Sequence, residues 1–390
     1  MRLRVLAIGA TTIVATGLVL SAAAPAYAQD AQADVQISLT GTTIADGVAG
    51  KFGKLTLSNN GPDAASGIEF TYDLTNLDTS KVDPVLEDCV PDGGIAVCII
   101  DPDGLANGEH VNFIDFLQVV PGATGDAGSI TMSITHDGTD PDPANNTVTA
   151  PVTIGGTGPD LLVIAPDVHN EADVENFEVL DTPVVPGRDA LVEIFVANQG
   201  AEDAVGIEIS LSLPEHVTFT LPEPECTHAV GDSTTTCSYA SVTLTAGYGP
   251  DTETCNNNEP CAFFVFPVRV SEDAPSPASL TDGVAAAWAM EAMLFSAPAA
   301  ELPRNLTAGP APDVDPSDNT STFTVFVSEV DDEPGGGGGG LGDDDGPLPV
   351  TGAPALLIGG TGAAVLAAGA VLFLVARRRR VVLAAPDSDG

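Results

Sequence analysis

Two short stretches of this chain concentrate hard oxygen donors. Asp140, Asp142 and Asn145 lie in Asp140-Pro141-Asp142-Pro143-Ala144-Asn145-Asn146, and Asp313, Asp315 and Asp318 lie in Asp313-Val314-Asp315-Pro316-Ser317-Asp318-Asn319. Carboxylate and amide oxygens gathered on one loop are the ligands that Ca²⁺ prefers. Neither stretch has the spacing or the terminal Glu of an EF-hand loop. The same residues also read as Asx and Pro turns that set the strand after them. No other cofactor is indicated, since no Cys-x-x-Cys or Cys/His cluster has zinc spacing.

Catalysis by side chains has little to work with, and no enzyme is expected. His110, His136, His169, His216 and His228 are scattered, and neither His-Glu-x-x-His nor Gly-x-Ser-x-Gly occurs. Gly231-Asp232-Ser233 has a superficial likeness to a hydrolase nucleophile block, but it lies between Cys226 and Cys237 with no α/β pattern before it, as a surface hairpin would. Gly359-Gly360-Thr361-Gly362 falls in an apolar run, where small residues favour helix packing. Amide crosslinks of the Lys–Asn kind, found in some surface sandwiches, would have to use Lys51, Lys54 or Lys81.

The elements that must position these residues are strands. Gly and Pro are frequent, and Val, Ile, Thr and Phe fall in short alternating runs between turn residues, which argues for antiparallel sandwiches. An internal repeat divides the chain. Asn59-Asn60-Gly61-Pro62-Asp63-Ala64-Ala65-Ser66-Gly67-Ile68 returns as Asn198-Gln199-Gly200-Ala201-Glu202-Asp203-Ala204-Val205-Gly206-Ile207. Each copy leads into an alternating strand, with Ile68, Phe70, Tyr72 and Leu74 sharing a face in the first and Ile207, Ile209, Leu211 and Leu213 in the second. Downstream, the strand of Ile114, Phe116 and Val120 is matched to that of Phe264, Phe266 and Val270, and the two acidic stretches close the copies.

Both ends carry targeting features. Met1-Arg2-Leu3-Arg4 precedes the apolar run Val5 to Ala24, and Ala26-Tyr27-Ala28 has the small-x-small form of a signal-peptidase site, with Ala26 and Ala28 as its small residues. Cleavage there would start the mature chain at Gln29. In an exported protein the six cysteines are expected as disulfides. The repeat pairs Cys89 with Cys98 and Cys226 with Cys237 and leaves Cys255 for Cys261, although other pairings within the second copy stay open.

At the other end stand Leu348-Pro349-Val350-Thr351-Gly352, 24 uncharged residues from Ala353 to Ala376, and Arg377 to Arg380. About 20 apolar residues in helix cross a bilayer core of ~30 Å, and the arginines should stay cytoplasmic. This arrangement resembles the C-terminal sorting signal of Gram-positive surface proteins. The resemblance implies that sortase cleaves between Thr351 and Gly352 and joins Thr351 to peptidoglycan. The tail Val381 to Gly390 is longer than in many such proteins, and a cytoplasmic tail also suits a permanent single-pass protein.

The chain has 55 acidic and 12 basic residues, a net charge of −43. Two of the acids and six of the arginines lie outside residues 29–351, so the displayed part carries −47. So acidic a surface repels polyanions, and nucleic acid is not an expected partner.

The Asn-x-Gly turn, the cysteine pair, the aromatic strand and the closing Asp-x-Asp-Pro-x-x-Asn resemble the immunoglobulin-like surface repeats of the domain-of-unknown-function 11 type. That resemblance implies a stalk or presentation role. The expected organisation is a signal peptide at 1–28, one immunoglobulin-like β-sandwich at 29–154, a linker at 155–159, and a second sandwich with insertions at 160–330. A disordered Gly/Asp-rich tether at 331–347, the sorting motif at 348–352, one transmembrane helix at 353–376 and a basic cytoplasmic tail at 377–390 follow. The fold class is all-β. The expected partners are signal peptidase, sortase and peptidoglycan, with an unknown surface ligand as the rival reading, held at end loops such as Asp167 to Pro186. The expected location is secreted and cell-wall anchored.

Overall fold

The computed structural model describes residues 32–86, 89–99, 104–250, 255, 259–290 and 313–329. Ala26, Ala28, the sorting motif Leu348 to Gly352, the span and the arginine tail lie outside the described residues. Among the described residues no helix is long and apolar enough to cross a membrane.

Ten strands build the first half. They are β1 (Val35–Thr40), β2 (Thr43–Ile44), β3 (Gly50–Asn59), β4 (Glu69–Asp73), β5 (Val82–Val85), β6 (Cys89–Asp92), β7 (Ile95–Ile99), β8 (His110–Val119), β9 (Gly125–Thr135) and β10 (Thr147–Ile154). They form two sheets, ordered β1-β3-β8-β5 and β2-β10-β9-β4-β7-β6. All of their strand pairs are antiparallel except β2 with β10, which run parallel. Ten more build the second half: β11 (Leu161–Ile164), β12 (Asn170–Asp173), β13 (Glu178–Pro183), β14 (Asp189–Asn198), β15 (Ala204–Ser212), β16 (Val217–Phe219), β17 (Thr234–Leu244), β18 (Cys261–Val270), β19 (Ala278–Ala289) and β20 (Thr320–Val327). Their sheets run β11-β14-β18-β16 and β17-β15-β19-β20, with β12-β13 as a separate hairpin. The chain is therefore all-β, two immunoglobulin-like sandwiches in tandem.

Each sandwich has its own core, because period-two alternation sends one side chain in two between the sheets. On β4 and just before it, Ile68, Phe70 and Tyr72 are buried, and Ile207, Ile209, Leu211 and Leu213 are buried on and after β15. The Asn-x-Gly turns are fixed by a repeated set of hydrogen bonds. Asn59 Oδ1 accepts from Asp34 N (3.2 Å) and Gly61 N (3.0 Å), while its Nδ2 donates to the carbonyls of Asp63 and Leu105. Asn198 Oδ1 likewise accepts from Asp160 N (3.1 Å) and Gly200 N (3.0 Å), and its Nδ2 donates to Glu202 and Leu244. A Cβ on Gly61 would lie 2.3 Å from Asp34 N, so that close backbone approach requires glycine.

The match between the two aromatic strands needs correcting by one residue. Leu55 pairs with Phe113 as its repeat counterpart Ile194 pairs with Phe264, which sets Asp115, not Phe116, against Phe266. Ile114 is exposed and Phe116 packs on Phe52, away from the core. A carboxylate at a core position hides the alternation of β8. It is tolerated because the Tyr72 hydroxyl donates to Asp115.

Three disulfides, Cys89–Cys98, Cys226–Cys237 and Cys255–Cys261, close short loops. The first staples neighbouring strands, since Cys89 and Cys98 are direct partners across β6 and β7.

Candidate functional site

The two acidic stretches do the same structural work in each sandwich. Asp140 Oδ2 accepts from Val35 N (3.1 Å) and Asp140 Oδ1 from Asp142 N (2.8 Å). Asp313 Oδ2 accepts from Leu161 N (3.0 Å) and Asp313 Oδ1 from Asp315 N (3.0 Å). Each stretch thus pins the start of its sandwich's first strand, an Asx-turn role. This brings the closing stretch against the residue that precedes that strand, Asp34 in one copy and Asp160 in the other.

The copies then diverge. In the first, Asn145 Nδ2 donates to Asp34 Oδ1 at 2.9 Å, and Asp140 also meets His136 Nε2 at 3.2 Å. In the second, the position of Asn145 is taken by Asp318, and among the described residues no amide answers Asp160. Lys51, from β3 of the first sandwich, supplies the positive charge. Its Nζ donates to both Asp160 oxygens at 2.7 Å and lies 3.2 Å from Asp318 and 3.6 Å from Asp315. The side chains of Lys51, Asp160 and Asp318 are all wholly buried. Burial by itself would weaken the Lys51 ammonium, but the charges of Asp318, Asp160 and Asp315 outweigh it and hold its pKa above the usual value. Burial raises Asp160 and Asp318 above the ordinary carboxylate range, with Lys51 opposing it. For Asp315 burial is outweighed by Lys51 and by hydrogen bonds from Ser317 and Thr43, so it stays low. Among the described residues, neither carboxylate oxygen of Asp318 has a hydrogen-bond donor.

Around this cluster the sandwiches are joined by main-chain and side-chain bonds. Lys54 Nζ donates to the carbonyls of Val163 (3.1 Å), Asp318 (3.3 Å) and Thr320 (2.6 Å), three acceptors for three protons. Burial brings its pKa down to about 8. The Gln199 amide lies along β3, accepting from Phe52 N (2.7 Å) and donating to Phe52 O (3.2 Å). Thr43 N donates to Asp315 and Gly41 N to Ser317. Asp167 receives His110 N and Thr324 N, both at 2.6 Å. Phe52 also packs among Leu162, Phe195 and Tyr248 of the second sandwich. That explains why Leu161, Leu162 and Val163 run apolar without alternation: Leu161 and Val163 face their own core, and Leu162 faces the neighbour.

No protein-family model matches the chain, and no curated protein matches it. Among solved structures it is similar to Escherichia coli alpha-2-macroglobulin activated by porcine elastase, with 9% identity and a TM-score of 0.24 over 77% of this chain and 22% of that one. It is similar to the partial N-terminal region of an enterococcal surface protein, with 8% identity and a TM-score of 0.21 over 78% and 97%. The Enterococcus faecalis MSCRAMM ACE gives 11% identity and a TM-score of 0.21 over 76% and 96%. The chain spans about a fifth of the length of the macroglobulin.

Of the six residues read as calcium ligands, Asp315 and Asp318 lie around one cation, an internal ammonium. Asp313 caps Leu161 N and accepts from the Asn319 amide at 3.1 Å. Cys226 and Cys237 lie beside His228, but as a disulfide they offer no thiolate to a metal. His228 itself is buried between Thr235 Oγ1 and the Leu221 carbonyl and stacks on Phe219. Sequence reasoning passed over Asp160, Gln199 and the part played by Lys51 and Lys54. The available signals were two of only three lysines three positions apart on one strand, and the exchange of Asn145 for Asp318 between otherwise matched motifs.

Proposed function

We propose that this chain is a non-catalytic cell-surface stalk or presentation module, exported by a signal peptide and joined through Thr351 to peptidoglycan by sortase. The observation that carries the stalk reading is the interface: two sandwiches hold each other through Lys51, Lys54 and Gln199, whose polar groups are buried and matched. Buried, hydrogen-bonded polar groups are costly to separate. A hinge at residues 155–159 would have to break them, so force or distance is transmitted from one sandwich to the next. The anchoring half of the reading is supported by Leu348 to Gly352, the apolar residues to Ala376 and the arginines after them.

Wall fractionation tests the anchor. Thr351→Ala should move the protein from the muramidase-released wall fraction to the membrane or the medium. Unchanged wall linkage would count against sortase, and a wild-type protein found in the membrane fraction would favour a permanent single-pass protein.

A second reading, a ligand-binding adhesin, is supported by the β12–β13 hairpin, where Phe177 and Val179 are exposed. A glycan and protein array separates the two readings. Saturable capture lost in Phe177→Ser favours adhesion, and uniform silence favours a stalk.

A further inference from the structure

We infer that Lys51 and Asp160 become joined by an amide bond, so that the two sandwiches are linked covalently as well as packed. The geometry is that of reactants held together. Distances of 2.7 Å from Nζ to both oxygens of one carboxylate hold the amine against Asp160, the proximity on which an intramolecular reaction depends. Both side chains are wholly buried, so water is kept from the reacting atoms.

A third group completes the site. Asp318 lies 3.2 Å from Nζ, is fully buried, and has two oxygens that accept no hydrogen bond. Asp315 is not equivalent, because its oxygens already take Thr43 N and the Ser317 hydroxyl. Asp318 is thus free to take protons from the amine and pass them on.

The step balances without any other reagent. A proton moves from the Lys51 ammonium to Asp318, and the freed nitrogen lone pair attacks Asp160 Cγ. Asp318 returns that proton to a departing carboxylate oxygen, the C–O bond breaks, and a second nitrogen proton follows through Asp318 to the same oxygen. One ammonium and one carboxylate become one amide and one water, and Asp318 ends as it began. The product also relieves the cluster. One buried positive and one buried negative charge vanish, and the new amide N–H lies beside Asp318 Oδ2, which has no donor in the ion-paired state.

The divergence between the repeats fits this assignment. In the first sandwich Asn145 answers Asp34 through its amide, and no lysine is there. The proton-carrying carboxylate and the lysine occur together, at the junction.

Peptide mapping of the full chain tests the proposal independently of how the chain is anchored. After reduction, alkylation and digestion at glutamates, the wild type should yield a branched peptide joining Lys51 to Asp160, lighter than its two parts by one water. Lys51→Arg should yield only the two separate peptides. Asp318→Asn, which installs the residue of the first repeat, should cut the linked fraction at least tenfold while Lys51 and Asp160 remain. Separate wild-type peptides at full mass would overturn the bond whatever the variants do, and so would a branch to Asp315 or Asp318. Full linkage in Asp318→Asn would overturn the role given to Asp318.

Discussion

Asn145 and Asp318 hold the same position in the two repeats, yet one is an amide that donates to Asp34 and the other a buried carboxylate that faces Lys51. That single change of side chain turns a self-sufficient turn into a socket for a cation from the neighbouring sandwich.

The first consequence concerns Lys51. Replacing it by Met leaves Asp160 and Asp318 buried with neither the ion pair nor the amide, and removing one partner from a buried charge cluster by itself costs about 3–5 kcal/mol. Urea unfolding of Lys51→Met should show a loss of that order. A change below about 1 kcal/mol would mean that water reaches the carboxylates and that the junction is open.

Lys54 gives the junction a pH dependence. Its folded pKa, about 8, lies below its unfolded value of 10.5. The folded state therefore sheds the proton first, and this group's contribution grows as pH rises from about 8 to about 10.5, with a slope approaching 1.4 kcal/mol per pH unit. Below pH 8 that contribution is lost. Unfolding free energies across this window should rise in the wild type more steeply than in Lys54→Met. Parallel curves for the two proteins would remove the assignment.

Gln199 acts on the backbone. Its side chain satisfies both the N–H and the carbonyl of Phe52, so Gln199→Ala leaves two main-chain groups without partners. Each such loss is worth about 1–3 kcal/mol when buried. Amide exchange read at Phe52 should speed up selectively, while the core amides of β15 keep their protection. Exchange at Phe52 no faster than in the wild type would show that the clamp does not hold.

Within the first sandwich, the Tyr72 hydroxyl is the donor that makes Asp115 tolerable between the sheets. Burial raises both groups, with each reinforced or opposed by the other, and Asp115 stays above the usual carboxylate range. Tyr72→Phe should destabilise by about 1–3 kcal/mol at neutral pH. Asp115→Leu in that background should recover much of the loss, because it replaces the stranded carboxylate with an apolar group. Failure of the second change to recover stability would place the defect elsewhere.

The sequence by itself determined the all-β class and the two-fold repeat, because alternation such as Ile207, Ile209 and Leu211 has meaning only on a strand with one buried face. It also marked Asn59 and Asn198 as turn residues, since each is followed two residues on by the glycine, Gly61 or Gly200, whose N–H it accepts. It misplaced the register of β8 because Asp115 stands in an apolar position, and the Tyr72 that compensates it lies 43 residues away. The junction was decided by tertiary structure alone. Lys51 meets Asp160 across 109 residues and Gln199 meets Phe52 across 147, and no local pattern encodes pairings at that range. Burial, which sequence composition does not report, turned an acidic turn that reads as a calcium loop into a pocket for one of the chain's three lysines.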